Sequence, residues 1–147
     1  MAYAVRRATA ADQAQLTELI YLYIVDFYKR PRPAEAALHG LMARLDAGEI
    51  GLQFVAEEDG RLVGFATLYW TWSTLRCQPA TIMNDLYVVE DRRGSGVAEA
   101  LFRACEGYTR ENGYAYMAWE TDPDNVRAQR FYEKMGGRRG ETLHYWI

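Results

Sequence analysis

Residues 86–98 read Leu-Tyr-Val-Val-Glu-Asp-Arg-Arg-Gly-Ser-Gly-Val-Ala. A β-branched and aromatic run ends here in two arginines and a glycine-spaced loop. Gly94 and Gly96 let the main chain approach an anion with no Cβ in the way. An apolar-periodic helix begins at once, with Val97, Leu101, Ala104 and Tyr108 on one face. Its free N–H groups and its dipole both favour negative charge at that end. The chemistry this predicts is the cradling of a pyrophosphate. The dinucleotide fingerprint Gly-x-Gly-x-x-Gly is not met, because Glu99 occupies its third small position. A Walker loop is excluded by the lack of Gly-Lys-Ser or Gly-Lys-Thr.

A second run, residues 119–137, reads Trp-Glu-Thr-Asp-Pro-Asp-Asn-Val-Arg-Ala-Gln-Arg-Phe-Tyr-Glu-Lys-Met-Gly-Gly. Asp124 or Asn125 can cap a helix and Gly136 can end it. Asn125, Ala128, Gln129 and Tyr132 then share one helical face. The first run contains Arg93, Gly96 and Ala98 as Arg-x-x-Gly-x-Ala. The second contains Asn-x-x-Ala-x-x-Phe-Tyr-x-x-x-Gly. In this order and spacing the two motifs resemble those of the GCN5-related N-acetyltransferase (GNAT) family. The resemblance implies acetyl-coenzyme A as cosubstrate, with no metal. It implies coenzyme contacts from Leu86, Tyr87, Val88, Arg93, Gly94, Ser95, Gly96, Val97 and Ala98, then from Asn125, Arg127, Ala128 and Tyr132. The pantetheine arm would add to the main chain of Leu86 and Val88 like a further strand.

Acetyl transfer to an amine needs a neutral nucleophile, a stabilised oxyanion and a proton for the departing sulfur. Tyr132 is the candidate acid. Asp85 is the candidate base, with Glu120 on the partner strand as the other nearby carboxylate. Within the family, Gly64-Phe-Ala-Thr-Leu-Tyr-Trp70, Asn84-Asp-Leu-Tyr-Val88 and Trp119 with Asn125 to Tyr132 are most similar to the diamine and polyamine branch. That branch carries a glutamate where this chain has Asn84, which cannot take a proton. Neighbouring strand residues face opposite sides, so Asn84 and Asp85 should not share the cleft unless a bulge changes the parity. Trp119 and Glu120 are the other expected acceptor contacts, and Trp70 and Trp72 are further aromatic candidates.

These residues need a frame to position them. Tyr3 to Arg7 reads as a first strand, and Thr9 to Asp12 as a capping box. A first helix runs to Tyr28 and is apolar nearly all round, which implies deep burial or a shared outer face. Pro31 stops it, and a second helix spans roughly 33 to 47. Strands at 52–57 and 62–71 flank a tight Glu58-Asp-Gly-Arg61 turn. Further strands are expected at 81–89, 114–120 and 142–147, and further helices at 97–111 and 125–135. The string β-α-α-β-β-β-α-β-α-β predicts an α/β, layered α+β fold. Resemblance implies a mixed central sheet of six to seven strands flanked by four helices, in a single domain over residues 1–147.

The chain has 147 residues, half of them apolar, and a net charge of −3. That suits one well-packed domain and argues against nucleic acid as a partner. No signal peptide or membrane-length apolar run is read, so the cytoplasm is the expected compartment. The two cysteines, Cys77 and Cys105, lack metal or redox spacing. The apolar first helix and the His144-Tyr-Trp-Ile147 segment predict a homodimer. The function expected is transfer of acetyl to the primary amine of a small cationic or neutral acceptor, such as a diamine, a polyamine or a basic amino-acid analogue, by direct attack in a ternary complex. The alternatives are a non-catalytic acyl-coenzyme A sensor and a protein lysine or N-terminal acetyltransferase.

Overall fold

Asp59 and Gly60 hold left-handed φ values of 50° and 80°. A two-residue hairpin loop whose twist matches that of its strands needs this conformation. The turn joins β2 (Gly51–Glu58) to β3 (Arg61–Ser73) in the computed structural model, which describes residues 3–147. Before the hairpin come β1 (Ala4–Arg7), α1 (Gln13–Tyr21) and α2 (Glu35–Asp46). After it come β4 (Gln78–Val88), α3 (Val97–Glu111), β5 (Met117–Ala118) and α4 (Val126–Lys134). The strands lie in the order β1-β2-β3-β4-β5, antiparallel except for the parallel β4–β5 pair.

Side-chain alternation on β3 separates the two layers. A Cβ on Gly64 would meet Leu101 and Val97 of α3 at 3.0 and 3.3 Å. Phe65, the next residue, turns the other way and meets the Tyr23 ring at 5.7 Å. Helices α1 and α2 therefore cover one face, where Thr17 Oγ1 donates to Met42 Sδ at 3.5 Å. Helix α3 covers the other, and α4 packs beside it through Phe102, Phe131 and Tyr132. Phe65, Leu68, Leu101 and Phe102 are among the fully buried side chains at the centre.

Helix α1 does not end at Tyr21 but continues as one π-helical turn, Leu22–Phe27. Tyr28 N–H bonds Tyr23 O at 3.1 Å, and Lys29 breaks out with φ 56°. The helix thus stops before Pro31. The apolar character on all sides has a physical cause: the π turn rotates Tyr23, Phe27 and Tyr28 onto β4 rather than along the original face.

The sheet has five strands among the described residues, not the expected six to seven. Segment 142–147 forms no strand, and Leu143, Tyr145 and Trp146 are about four-fifths exposed. Nothing among the described residues pairs with it, and an isolated strand has no ladder to hold it. The expected strand over 114–120 shrinks to Met117–Ala118, because beyond Ala118 it parts from β4.

Two ion pairs tie the loop after β4 to the β2–β3 hairpin. Arg92 meets Glu58 at 2.8 Å, and Arg61 meets Asp91 at 3.1 Å. Arg92 and Arg61 hold these carboxyls below the ordinary range, as Arg6 holds Asp12. A depressed carboxyl stabilises the fold above its unfolded pKa, near about 4. That contribution is lost as pH falls through the lower folded value. The melting temperature should therefore drop on acidification below about pH 4. Glu58→Gln should flatten that drop in scanning calorimetry; an unchanged pH slope would mean that the pair does not hold the loop.

Candidate coenzyme and acceptor sites

The loop between β4 and α3 is a turn of Glu90–Arg92 followed by Arg93, Gly94, Ser95 and Gly96. Gly94 and Gly96 have φ of 79° and 92°, values that L side chains rarely adopt. Nothing lies within 4 Å of where a Gly94 Cβ would stand, so space above the loop is open. Gly96 precedes α3, and the first-turn N–H groups of Val97, Ala98 and Glu99 have no intrahelical acceptor. Ser95 Oγ donates to Arg92 O and pins the turn. Arg92 is committed to Glu58. A concave, glycine-lined helix start of this kind fits an anion such as a pyrophosphate.

Arg93 sits differently from the sequence expectation. Its Nε donates to Val88 O at 3.0 Å. Its guanidinium lies 5.7 Å from the ring centres of both Phe27 and Tyr87. The side chain thus folds back along β4 towards the end of α1, and its terminal nitrogens are what remain for an anion.

Strands β4 and β5 are paired only at Thr81–Met117 and Ile82–Ala118. Beyond that point β4 runs on to Val88 with its β5-facing edge open. This slot leads from the glycine loop to the strand centre, and it would accept an extended amide chain. The Tyr87 side chain does not line it. That ring is buried against Phe65 and Tyr23 on the α1 face, so only the main chain of Tyr87 faces the slot.

Across the slot, Asn125 Oδ1 accepts from Ala128 N–H at 3.0 Å. Asn125 is therefore the cap of α4, and its NH₂ group is left for other contacts. Arg127, Arg130 and Lys134 are exposed and form no ion pair among the described residues. Tyr132 packs on Trp119 at 5.4 Å and Phe102 at 6.3 Å. Burial, with a smaller contribution from Tyr28, pushes its phenol up to about 12. Tyr132 therefore keeps its proton through the whole neutral range.

The surroundings of Asp85 are organised by a bulge. Thr67 pairs with Asp85 and Leu68 with Met83, so Asn84 is the extra residue. Thr81 upstream bonds Thr109 of α3 at 2.7 Å. Asp85 downstream lies against Tyr23, at the end of α1. Plain alternation would send both to one face; the bulge turns Asp85 onto the other. It also brings Asn84 Nδ2 to 2.9 Å from Asp85 Oδ1, so the two neighbours are not on opposite sides.

Burial raises the Asp85 carboxyl above the usual aspartate range. Hydrogen bonds from Thr67, Tyr23 and Asn84 pull it partly back. Gln53, Thr67 and Asp85 form one row across β2, β3 and β4, and Gln53 Nε2 donates to Thr67 Oγ1 at 3.1 Å. Sequence reasoning missed Tyr23, Tyr28, Thr67 and Tyr69 around this carboxylate. The clue was the ring of tyrosines in a helix with no polar face.

Two expected acceptor residues lie elsewhere. Trp119 packs between Phe102 and Tyr132, on the α3–α4 side of the sheet. Glu120 is exposed on the strand's open continuation, 3.5 Å from the His144 ring. Trp70 is stacked between Tyr108 and Tyr114 at 5.4 Å from each, and Trp72 is 71% exposed. None of the four belongs to the group around Asp85.

Residues 16–137 match the model of the Acetyltransferase (GNAT) family. An uncharacterized N-acetyltransferase of Bacillus subtilis, YhfO, is 33% identical over 132 residues, covering 90% of this chain and 87% of its own. A D-amino-acid N-acetyltransferase of Saccharomyces cerevisiae, HPA3, is 32% identical over 59% of this chain and 54% of its own. The crystal structure of a probable acetyltransferase superposes with a TM-score of 0.85 at 28% identity, over 98% of this chain and 95% of that one. An aminoglycoside N-acetyltransferase in complex with CoA shares the fold, with a TM-score of 0.84 at 19% identity, over 99% of this chain and 94% of that one. A family match over this span, joined to a glycine cradle and a splayed strand pair, makes the chain a member of the GNAT acetyltransferase family, an acetyl-coenzyme A-dependent N-acetyltransferase.

Proposed function

We propose that the protein acetylates the primary amine of a small cationic acceptor, in a ternary complex with acetyl-coenzyme A. The observation that carries this reading is the Asp85 carboxylate, held in a pocket of tyrosines at the end of α1. An anionic group in such a setting attracts and orients an alkylammonium, and the aromatic faces favour it further. A diamine, a polyamine or a basic amino-acid analogue has this chemistry. The diamine and polyamine branch remains part of the proposal. Relatives named for D-amino-acid and aminoglycoside acetylation also act on amines.

When bound, acetyl-coenzyme A supplies the acetyl group as an activated thioester. In this reading the N–H groups from Gly94 to Ala98 hold its pyrophosphate, with the Arg93 terminal nitrogens alongside. The open edge of β4 at Leu86 to Val88 holds the pantetheine arm. Asn125, Arg127 and Ala128 bound the slot on the α4 side. Tyr132 keeps a proton at its hydroxyl for the departing sulfur. Gly96→Val should weaken coenzyme A binding more than tenfold in calorimetry, because a β-branched side chain strains the positive φ and crowds the Tyr3 hydroxyl 3.2 Å away, which deforms the cradle. Wild-type affinity in that variant would remove the loop from the coenzyme site.

Acid and acceptor roles separate kinetically. Tyr132→Phe should lower kcat by about 10²–10⁴-fold and leave coenzyme affinity within a few-fold. Asp85→Asn should raise KM for the amine more than KM for acetyl-coenzyme A. The rate should climb with pH as the neutral amine fraction grows. Tyr132, raised to about 12, adds no falling limb in the neutral range. An acidic amino acid as best acceptor would overturn the cationic assignment.

The working unit in this reading is a homodimer. Leu143, Tyr145 and Trp146 are exposed on their own chain, and β5 is an edge strand. Phe102, Tyr116, Met117, Trp119 and Met135 line a groove of about 260 Å³ beside it. A second copy of the same segment supplies the apolar surface to fill it. Sedimentation at micromolar concentration should give a dimer, and Trp146→Ala with Tyr145→Ala should shift it towards monomer. A wild-type monomer would reject the arrangement.

A further inference from the structure

Gln53 is an amide inside the sheet, 6% exposed, beside Thr67 on the face that α1 and α2 cover. Both ends of a buried amide need partners. Its Nε2 donates to Thr67 Oγ1 at 3.1 Å. Its Oε1 has no hydrogen bond among the described residues, yet none of the fully buried side-chain polar atoms there lacks one. The oxygen is therefore accessible. A cavity of about 160 Å³ opens over Gln53, between the start of α1 and the end of α2. Leu16, Met42 and Leu45 give it apolar walls, and Thr9, Gln13 and Asp46 stand exposed in its lining. None of the residues around Asp85 or along the glycine loop lines it.

Charge separates the two ends of this cavity. At the start of α1, Asp12 Oδ2 accepts from Thr9 N–H at 2.8 Å, and Arg6 pairs with the same carboxylate at 2.8 Å. The end of α2 has no such answer. Asp46 is the last residue of that helix, where the dipole disfavours a carboxylate. Arg44 pairs with Glu49 instead, at 3.2 Å. Arg7 reaches the Asp46 main-chain oxygen, at 3.4 Å, and not its carboxylate. Asp46 thus forms no ion pair among the described residues. A carboxylate at the unfavourable end of a helix stands over a buried amide with an unused acceptor. Apolar walls with a few convergent polar groups are the composition of a small-ligand site.

We propose that this cavity is a second amine site, which takes a small primary alkylammonium. The ammonium donates to Gln53 Oε1 and to the Asp46 carboxylate, and the alkyl chain lies on Leu16, Met42 and Leu45. A void of about 150 Å³ holds a benzene-sized molecule, so a chain of about four carbons fills this one. The site does not depend on the acetyl-transfer reading. Gln53 on β2 and Asp85 on β4 are the two ends of the row through Thr67. Two strand spacings, about 10 Å, separate those strands. An amine held at Gln53 is therefore a ligand of the protein and not its acceptor.

The test is a titration of the coenzyme-free full chain with n-butylammonium, followed by amide NMR. Saturable shifts should appear at the Gln53 side-chain amide and at the main chain of residues 9–13 and 42–46, with a dissociation constant on the order of millimolar. Asp46→Asn should weaken binding at least about tenfold, the scale of a lost charged hydrogen bond. That substitution relieves the helix end, so the fold stays intact. Ala43, an exposed helical residue, also lines the cavity. Ala43→Leu should fill the space and abolish the shifts without lowering the melting temperature. Asp85→Asn should leave the affinity at these residues unchanged, which separates the site from the acceptor pocket. n-Butanol and n-butyrate should each bind at least about tenfold more weakly than the ammonium. Equal binding of either, full affinity in Ala43→Leu, or shifts confined to the residues around Asp85 would overturn the proposal.

Discussion

Between Met83 and Asp85, strand β4 accommodates one residue more than β3 does. That surplus residue decides what each half of β4 serves. Upstream, Thr81 and Met83 face α3 and the core beneath it. Downstream, Asp85 and Tyr87 face the end of α1. The inserted residue also strengthens the local twist, which is the usual effect of a bulge. Immediately before it, β5 leaves β4. One irregularity thus sits where the strand edge opens and where a carboxylate turns towards the tyrosines. Without it, Asp85 would point into the α3 layer, where a carboxylate would be buried among apolar groups.

The loop that follows is built on a different principle. Its two glycines carry the positive φ values that let the main chain curl towards α3. Backbone shape alone would leave it mobile, since loops with few buried contacts open easily. The ion pairs to the β2–β3 hairpin supply the missing rigidity. Arg92 and Arg93, adjacent and chemically identical, are divided between two tasks. Arg92 is committed to Glu58 and anchors the loop. Arg93 turns inwards to Val88 O and approaches Phe27 at the end of α1. The arginine beside the glycine loop thus also borders the aromatic cluster at the end of α1.

Much of this was legible in the sequence, because the coenzyme side is local. A strand end, a glycine loop and a helix start are consecutive, and their roles follow from backbone chemistry. Helix α3 spans 97–111 as expected, and Asn125 caps α4 as one of two candidates. The acceptor side is not local. The tyrosines at 23 and 28 meet Asp85 only because a π turn rotates one element and a bulge rotates the other. Periodicity assumes regular spacing, and both features break it. Trp119 and Glu120 lie apart from Asp85 for a related reason. Their assignment assumed an extended strand from 114 to 120, whereas only two residues pair. The closing strand failed because a run of β-formers forms no strand without an edge to join.

The chemistry of the site follows from one variable, burial, acting on groups of opposite task. Burial raises an acid's pKa whether the acid is a carboxyl or a phenol. At Tyr132 this keeps the hydroxyl protonated through the neutral range. At Asp85 it makes the carboxylate readier to take a proton. The hydrogen bonds from Thr67, Tyr23 and Asn84 then limit the rise at Asp85. The polar row through β2 and β3 thus reaches Asp85 from within the sheet, where Gln53 and Thr67 are both buried.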